Sequence, residues 1–169
     1  MAVLLLAAPA AMAAEKVIFE QDFESPDAAA TISVKDVVLT EPGPESRHSA
    51  SRAANATHNN ITLKTEASVE DGIELTFEYR IEVREGEVGY LGIYITTPQG
   101  KKMISTVKPS PSWTSARVPL ATFRIDPGSK VKEPITTGET INTIQFYGRS
   151  KTEKADHTVY IDNVKLVVK

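Results

Sequence analysis

The sequence predicts an all-β chain, and three observations carry that prediction. Short apolar runs with period-two alternation recur along it. Turn residues punctuate them, notably Asp71-Gly72, Glu85-Gly86 and Pro98-Gln99-Gly100. No long stretch holds the 3.6-residue apolar period of a packed helix. A sheet with one dry face must cover it, so the expected architecture is a two-sheet antiparallel β-sandwich, a jelly roll.

At 169 residues the chain has room for one domain with a real core. Its formal charge of -3, from 19 basic and 22 acidic residues, argues against nucleic acid as a partner, since that role favours a basic excess or stripe. There is no cysteine, so disulfides and thiolate metal sites are excluded. Three histidines, at 48, 58 and 157, make a His-rich zinc site a poor expectation. Residues 1–14 read as a secretory signal: an apolar run at 3–10 leads to small residues around Ala11-Met12-Ala13, although no Lys or Arg precedes Lys16. The run is too short to span a bilayer. The expectation is therefore a secreted or periplasmic domain over residues 15–169, monomeric and free of the membrane once the signal is cleaved.

The first strand of that domain is VIFEQDFES at 17–25, where alternation is imperfect and Phe23 anchors the end. DAAATISVKDVVLT follows Pro26 and gives a helical-looking alanine patch, then a β-type run at 32–39. Residues 41–60, rich in Pro, Ser, Asn and Ala, read as a loop with a short strand near its centre. A connection of that length in a compact domain is commonly functional or held by something. ITLKTEASV is a strand. ELTFEYRIEV alternates throughout, with Leu75, Phe77, Tyr79, Ile81 and Val83 on one side and Glu74, Thr76, Glu78, Arg80 and Glu82 on the other. In VGYLGIYITT, Leu91, Ile93 and Ile95 form the inward set and Tyr90, Gly92, Tyr94 and Thr96 the opposite one. KKMISTV, a PSPSW loop and TSARVPLATFRI follow, the last anchored by Val118, Leu120 and Phe123. A polar connector at 126–141 leads to a C-terminal hairpin of runs at 143–148 and 158–168. In the first of these, Gln145, Tyr147 and Arg149 share the wet side. The second holds YIDN, and Asp162 there needs a cation, a donor or water, because a lone buried carboxylate is costly.

Four pieces, VIFEQDFES, WTSARVPLATF, TIQFYGR and TVYIDNVKLVV, together resemble the jelly-roll carbohydrate-binding modules attached to secreted xylanases and glucanases, within the galactose-binding-like sandwiches. The resemblance spans nearly all of residues 15–169. It implies sugar bound on a concave sheet face or in loops at one end, and a structural calcium where the first and last strands meet. Carried over by position, Glu24 and Asp162 would be ligands, with backbone carbonyls from Ser46 to His48 completing the shell. Ca²⁺ accepts six to eight oxygens from distant segments, so the chemistry is reasonable. The residues alone leave a second reading open, in which Asp162 accepts backbone N–H bonds and Glu24 faces water.

Sugar recognition needs flat aromatic faces with planar polar groups beside them. The candidate polysaccharide- or oligosaccharide-binding set is Tyr90, Tyr94 and Tyr147 with Gln145 and Arg149, joined by Glu78 and Arg80 from a neighbouring strand. Tyrosines that merely tile a half-exposed surface are the alternative. Trp113 is expected in the core and His157 in an exposed loop. No G-x-S-x-G or H-E-x-x-H occurs. The expectation is thus a non-catalytic binding module. A small polysaccharide-cleaving hydrolase or lyase and a structural envelope domain stand as the alternatives.

Overall fold

The structure is a computed structural model, and it describes residues 14–25, 27–32, 37–40, 49–53, 60–151 and 155–169. Its strands are β1 (Lys16–Gln21), β2 (Val38–Thr40), β3 (Ser49–Ala53), β4 (Asn60–Ser68), β5 (Ile73–Glu85), β6 (Val88–Thr96), β7 (Lys102–Val107), β8 (Thr114–Pro119), β9 (Arg124–Ile125), β10 (Thr140–Ser150) and β11 (Asp156–Val168). A single turn of helix, α1 (Ala28–Thr31), is what the alanine patch forms. Sheet I runs β2-β3-β11-β5-β8, with β1 also on β11; sheet II runs β4-β10-β6-β7-β9. All of these pairings are antiparallel. The expected two-sheet sandwich is the observed one.

Parity decides the core. Of the inward set of β5, Leu75, Phe77, Tyr79 and Ile81 are buried while Val83, near the strand's end, is exposed; Leu91, Ile93 and Ile95 of β6 and Ile144 and Phe146 of β10 are all buried. Phe77 and Phe146 meet across the sandwich with ring centres 5.0 Å apart. Tyr79 keeps its ring in the core while its hydroxyl donates to the Lys108 carbonyl at 2.7 Å. The imperfect alternation of the first strand is a register shift between Val17 and Phe19, which leaves Val17 exposed.

Two expectations about neighbours fail for one reason. β5 and β6 follow each other through Gly86 (φ 80°), yet lie in opposite sheets. Likewise β10 and β11 form no C-terminal hairpin, for β10 pairs β4 and β6 while β11 pairs β1, β3 and β5. In each pair the two strands lie in opposite sheets, so the apolar side of each faces the shared core. The TSARVPLATFRI run also divides. β8 ends at Pro119, a 3₁₀ turn covers Leu120–Thr122, and β9 crosses to sheet II. The polar connector before β10 is pinned by buried Ile135 and by Ser129, whose hydroxyl accepts the Lys102 N–H at 3.1 Å.

Candidate functional site

The side of sheet II that faces away from the core carries the candidate residues. Register sets Gln145 opposite Tyr94, Tyr147 opposite Gly92 and Arg149 opposite Tyr90. On the far side of β6, Tyr94 lies opposite Ile104 and Gly92 opposite Thr106. Gln145 and Tyr147 are flanked in turn by Thr62 and Asn60 of β4. Tyr90, Tyr94 and Tyr147 are half-buried and Arg149 is exposed, which is what the outer phase of a strand predicts. Five of the seven sequence-predicted sugar-site residues therefore share one surface.

Gly92 shapes the middle of it. A Cβ there would lie 3.4 Å from Tyr94 Cε2 and 3.5 Å from both Tyr90 Cε2 and the Tyr147 carbonyl. Both rings thus bring an edge up to the glycine. A bare Cβ would sit there in ordinary contact, whereas a branched side chain would prop them apart. Lys102 Nζ stands 4.2 Å from the centre of the Tyr94 ring and 3.3 Å from Asp126 Oδ2. Burial, more than the neighbouring Tyr90 and Asp126, pushes the Tyr94 phenol above its ordinary value, so it stays a neutral donor at physiological pH. The Tyr147 hydroxyl and the other ring oxygens hold the Arg149 guanidinium above its own ordinary value. The surface offers rings for the C–H faces of sugars, and amide, hydroxyl and guanidinium for their oxygens.

Glu78 and Arg80 do not belong to this surface. They project from β5 on the outer side of sheet I, the far side of the sandwich. The expectation that they join it treats adjacency in sequence as adjacency in a sheet. There the Arg80 guanidinium lies 4.2 Å over the Tyr160 ring and 5.7 Å from Trp113. Glu78 accepts from Asn163 Nδ2 at 2.7 Å and from Ser115 Oγ at 3.3 Å. Trp113 is half-buried on this outer face, edge-on to Tyr160, and not in the core; the strand it precedes is the edge of sheet I, which leaves Arg80 to cover it. His157, expected in an exposed loop, is 1% exposed, because it opens β11 on the core phase and its Nδ1 lies 3.0 Å from the Ala155 carbonyl. Sequence reading misses Lys64, Lys102, Ile104 and Arg124 on the sheet II surface. Alternation puts each on a wet phase, but their sheet is unreadable from a single strand.

Of the residues expected to hold calcium, Ser46 and His48 lie outside the described residues, as does His58. Glu24 is exposed and Asp162 is 1% exposed. β3 pairs β11 up to Ile161 and β1 takes over from Val164, so Asp162 sits where one neighbour strand hands over to the other. Asp162 Oδ1 accepts the Asn163 N–H at 2.7 Å. Among the described residues, the non-glycine positions with positive φ are Phe23 (61°) and Asn163 (49°), each directly beside one of the two acids. A bulky residue such as Phe rarely takes that conformation unless its surroundings impose it. Carboxylate oxygens are donors that suit a hard cation, while an exposed Glu24 and an Asp162 that accepts a backbone N–H are also what the second reading expects. No cluster of three or more His, Cys, Asp or Glu side chains occurs among the described residues.

No family model matches the sequence, and no curated protein matches it. Solved structures do. A family 11 carbohydrate-binding module from Clostridium thermocellum, in complex with a β-1,3-1,4-mixed-linked tetrasaccharide, aligns with a TM-score of 0.56 at 17% identity, covering 91% of this chain and 95% of that one. The fold the two share is a two-sheet jelly-roll sandwich. A variant of a family 29 module, complexed with cellulohexaose, aligns at 0.54 and 15% identity, over 91% of this chain and 90% of its own. An agarase aligns at 0.58 and 15% identity, over 92% of this chain but 24% of the agarase chain. At these identities the likeness shows the fold alone. No helix among the described residues is long and apolar enough to cross a membrane.

Proposed function

We propose that the protein is a secreted or periplasmic, non-catalytic carbohydrate-binding module that holds a polysaccharide across the outer surface of sheet II. One observation carries the reading: Tyr90, Tyr94 and Tyr147 converge around Gly92, with Gln145 and Arg149 among them. Two of the sandwiches it resembles were solved with oligosaccharides bound, which supports that ligand class. A retaining or inverting glycosidase needs two facing carboxyl groups. Among the described residues the acids at this surface are Glu66 on β4 and Asp126, and Asp126 is engaged by Lys102. That favours binding over cleavage.

A structural Ca²⁺ held by Glu24 and Asp162 belongs to the same proposal. When bound it supplies positive charge that offsets the buried Asp162 carboxylate. The two acids then tie the end of β1 to β11 where β3 gives way to it. Affinity electrophoresis of the folded protein through a panel of polysaccharides tests the binding reading. Retardation by at least one is expected. Mobility unchanged by every glycan would sink it, and release of reducing or unsaturated ends would replace it with the enzyme.

A further inference from the structure

The chain as a whole is acidic, but the proposed glycan surface is not. Lys64 on β4, Lys102 on β7, Arg124 on β9 and Arg149 on β10 all project from the outer side of sheet II. Register supports this, since Lys64 is opposite Thr143 and Arg124 opposite Ile104, both on the outer phase. Lys102 is taken by Asp126. Among the described residues, Lys64, Arg124 and Arg149 stand in no ion pair. On β1, β5, β8 and β11 of sheet I the cations are spent. Lys16 pairs with Glu70, Arg84 with Asp156, Arg117 with Glu74 and Lys165 with Glu20, while Arg80 covers the Tyr160 ring. The outer side of β5 also carries Glu74, Glu78 and Glu82. The sandwich is polarised: Arg80 aside, the cations of these strands that lack a carboxylate partner lie on the tyrosine face.

From β4 to β9 spans four strand spacings, about 19 Å, a reach of several sugar residues. Three unpaired cations over that distance favour a polymer with recurring negative charge. A neutral glucan would leave them bonding hydroxyls alone. We propose that the ligand is an acidic polysaccharide, bearing uronate carboxylates or sulfate esters. Its rings lie on Tyr90, Tyr94 and Tyr147 while Lys64, Arg124 and Arg149 meet its anions. This rests on the reading of sheet II as a glycan surface and adds the substrate class to it.

The test is calorimetric titration with polygalacturonate and alginate, a sulfated galactan, and a neutral mixed-linked β-glucan. Together, three exposed cation–anion contacts should favour an acidic polymer over the neutral one by about tenfold. That preference should shrink several-fold as salt rises from about 0.05 to about 0.5 M, because screening acts on exposed charges. The carboxylated and sulfated arms identify the anion. A K64Q/R124Q/R149Q variant, or each single variant if the triple does not fold, should lose most of the salt dependence. Y94A should weaken the acidic polymer too, which separates recognition from ion exchange. Neutral glucan bound as tightly as any acidic polymer, or acidic binding indifferent to salt, overturns the proposal and leaves the glycan surface standing; acidic binding indifferent to Y94A overturns the surface as well. No binding to any polymer overturns both.

Discussion

Tyr94→Ala, with Trp113→Ala as its counterpart on the opposite side of the sandwich, tests which surface takes the glycan. Tyr94 lies mid-sheet, between Gln145 on β10 and Ile104 on β7, with its ring half-buried. A sugar laid on the ring removes on the order of 60 Å² of apolar surface, or about 1.5 kcal/mol at about 25 cal/mol per Å². Lys102 Nζ already lies 4.2 Å from the ring centre. Shifting it gives up an exposed cation–π contact of about 0.5 kcal/mol. The difference of about 1 kcal/mol corresponds to a Kd about fivefold weaker in Tyr94→Ala. Trp113→Ala removes the edge contact with Tyr160 and uncovers Arg80, so it should lower Tm while Kd stays within about twofold, as for a site that shares no contacts. Calorimetric titration with the best ligand of the panel, alongside melting curves, reads both. Binding intact in Tyr94→Ala and lost in Trp113→Ala would refute the reasoning and move the site to sheet I.

Phe146→Ala removes a fully buried ring that meets Phe77 across the sandwich. It should cost about 3–5 kcal/mol in denaturant unfolding, and a loss below about 1 kcal/mol would mean the two sheets do not pack as described. Chelator should lower Tm by about 5–10 °C if Ca²⁺ is present at about a hundred times its Kd; a superimposable melt rules out a stabilising calcium. Burial raises the phenol of Tyr79 and, with help from neighbouring charges, those of Tyr94 and Tyr160. A folded-state value above the unfolded one means their contribution to stability is intact below pH about 10 and is lost as pH climbs through the folded-state values. Phenolate absorbance should therefore show late-ionising tyrosines, one of which disappears in Tyr79→Phe; five tyrosines titrating together in folded protein would contradict it. Gly92→Val should separate the Tyr90 and Tyr94 rings and weaken glycan binding without unfolding the sheet, as titration beside circular dichroism would show.

Much of this molecule is legible strand by strand. Alternation in VGYLGIYITT and in the middle of ELTFEYRIEV decides which side chains are buried, because a strand with one dry face can present only one phase to it; at the ends of the latter, Val83 is exposed and Glu74 is buried. The same parity, read along single strands, identifies Tyr90, Tyr94, Gln145, Tyr147 and Arg149 as outward-facing. It cannot say on which of two outer surfaces each strand opens. That is why parity groups Glu78 and Arg80 with rings that lie on the far side of the core, and why it passes over Lys64, Lys102 and Arg124. Trp113 and His157 escape it for a related reason. Their burial depends on what happens to lie over a loop or a strand end, and on no periodicity of their own.

The sequence alone determined the all-β class, the dry and wet phases of the cleanly alternating strands, and the sandwich they require, since these follow from local backbone geometry and the cost of wetting apolar side chains. Only the tertiary structure decided the partners. β5 with β11 and β6 with β10 are long-range pairings, selected by the fit of whole faces across a shared core. The convergence of tyrosines and unpaired cations on a single surface is a consequence of that selection.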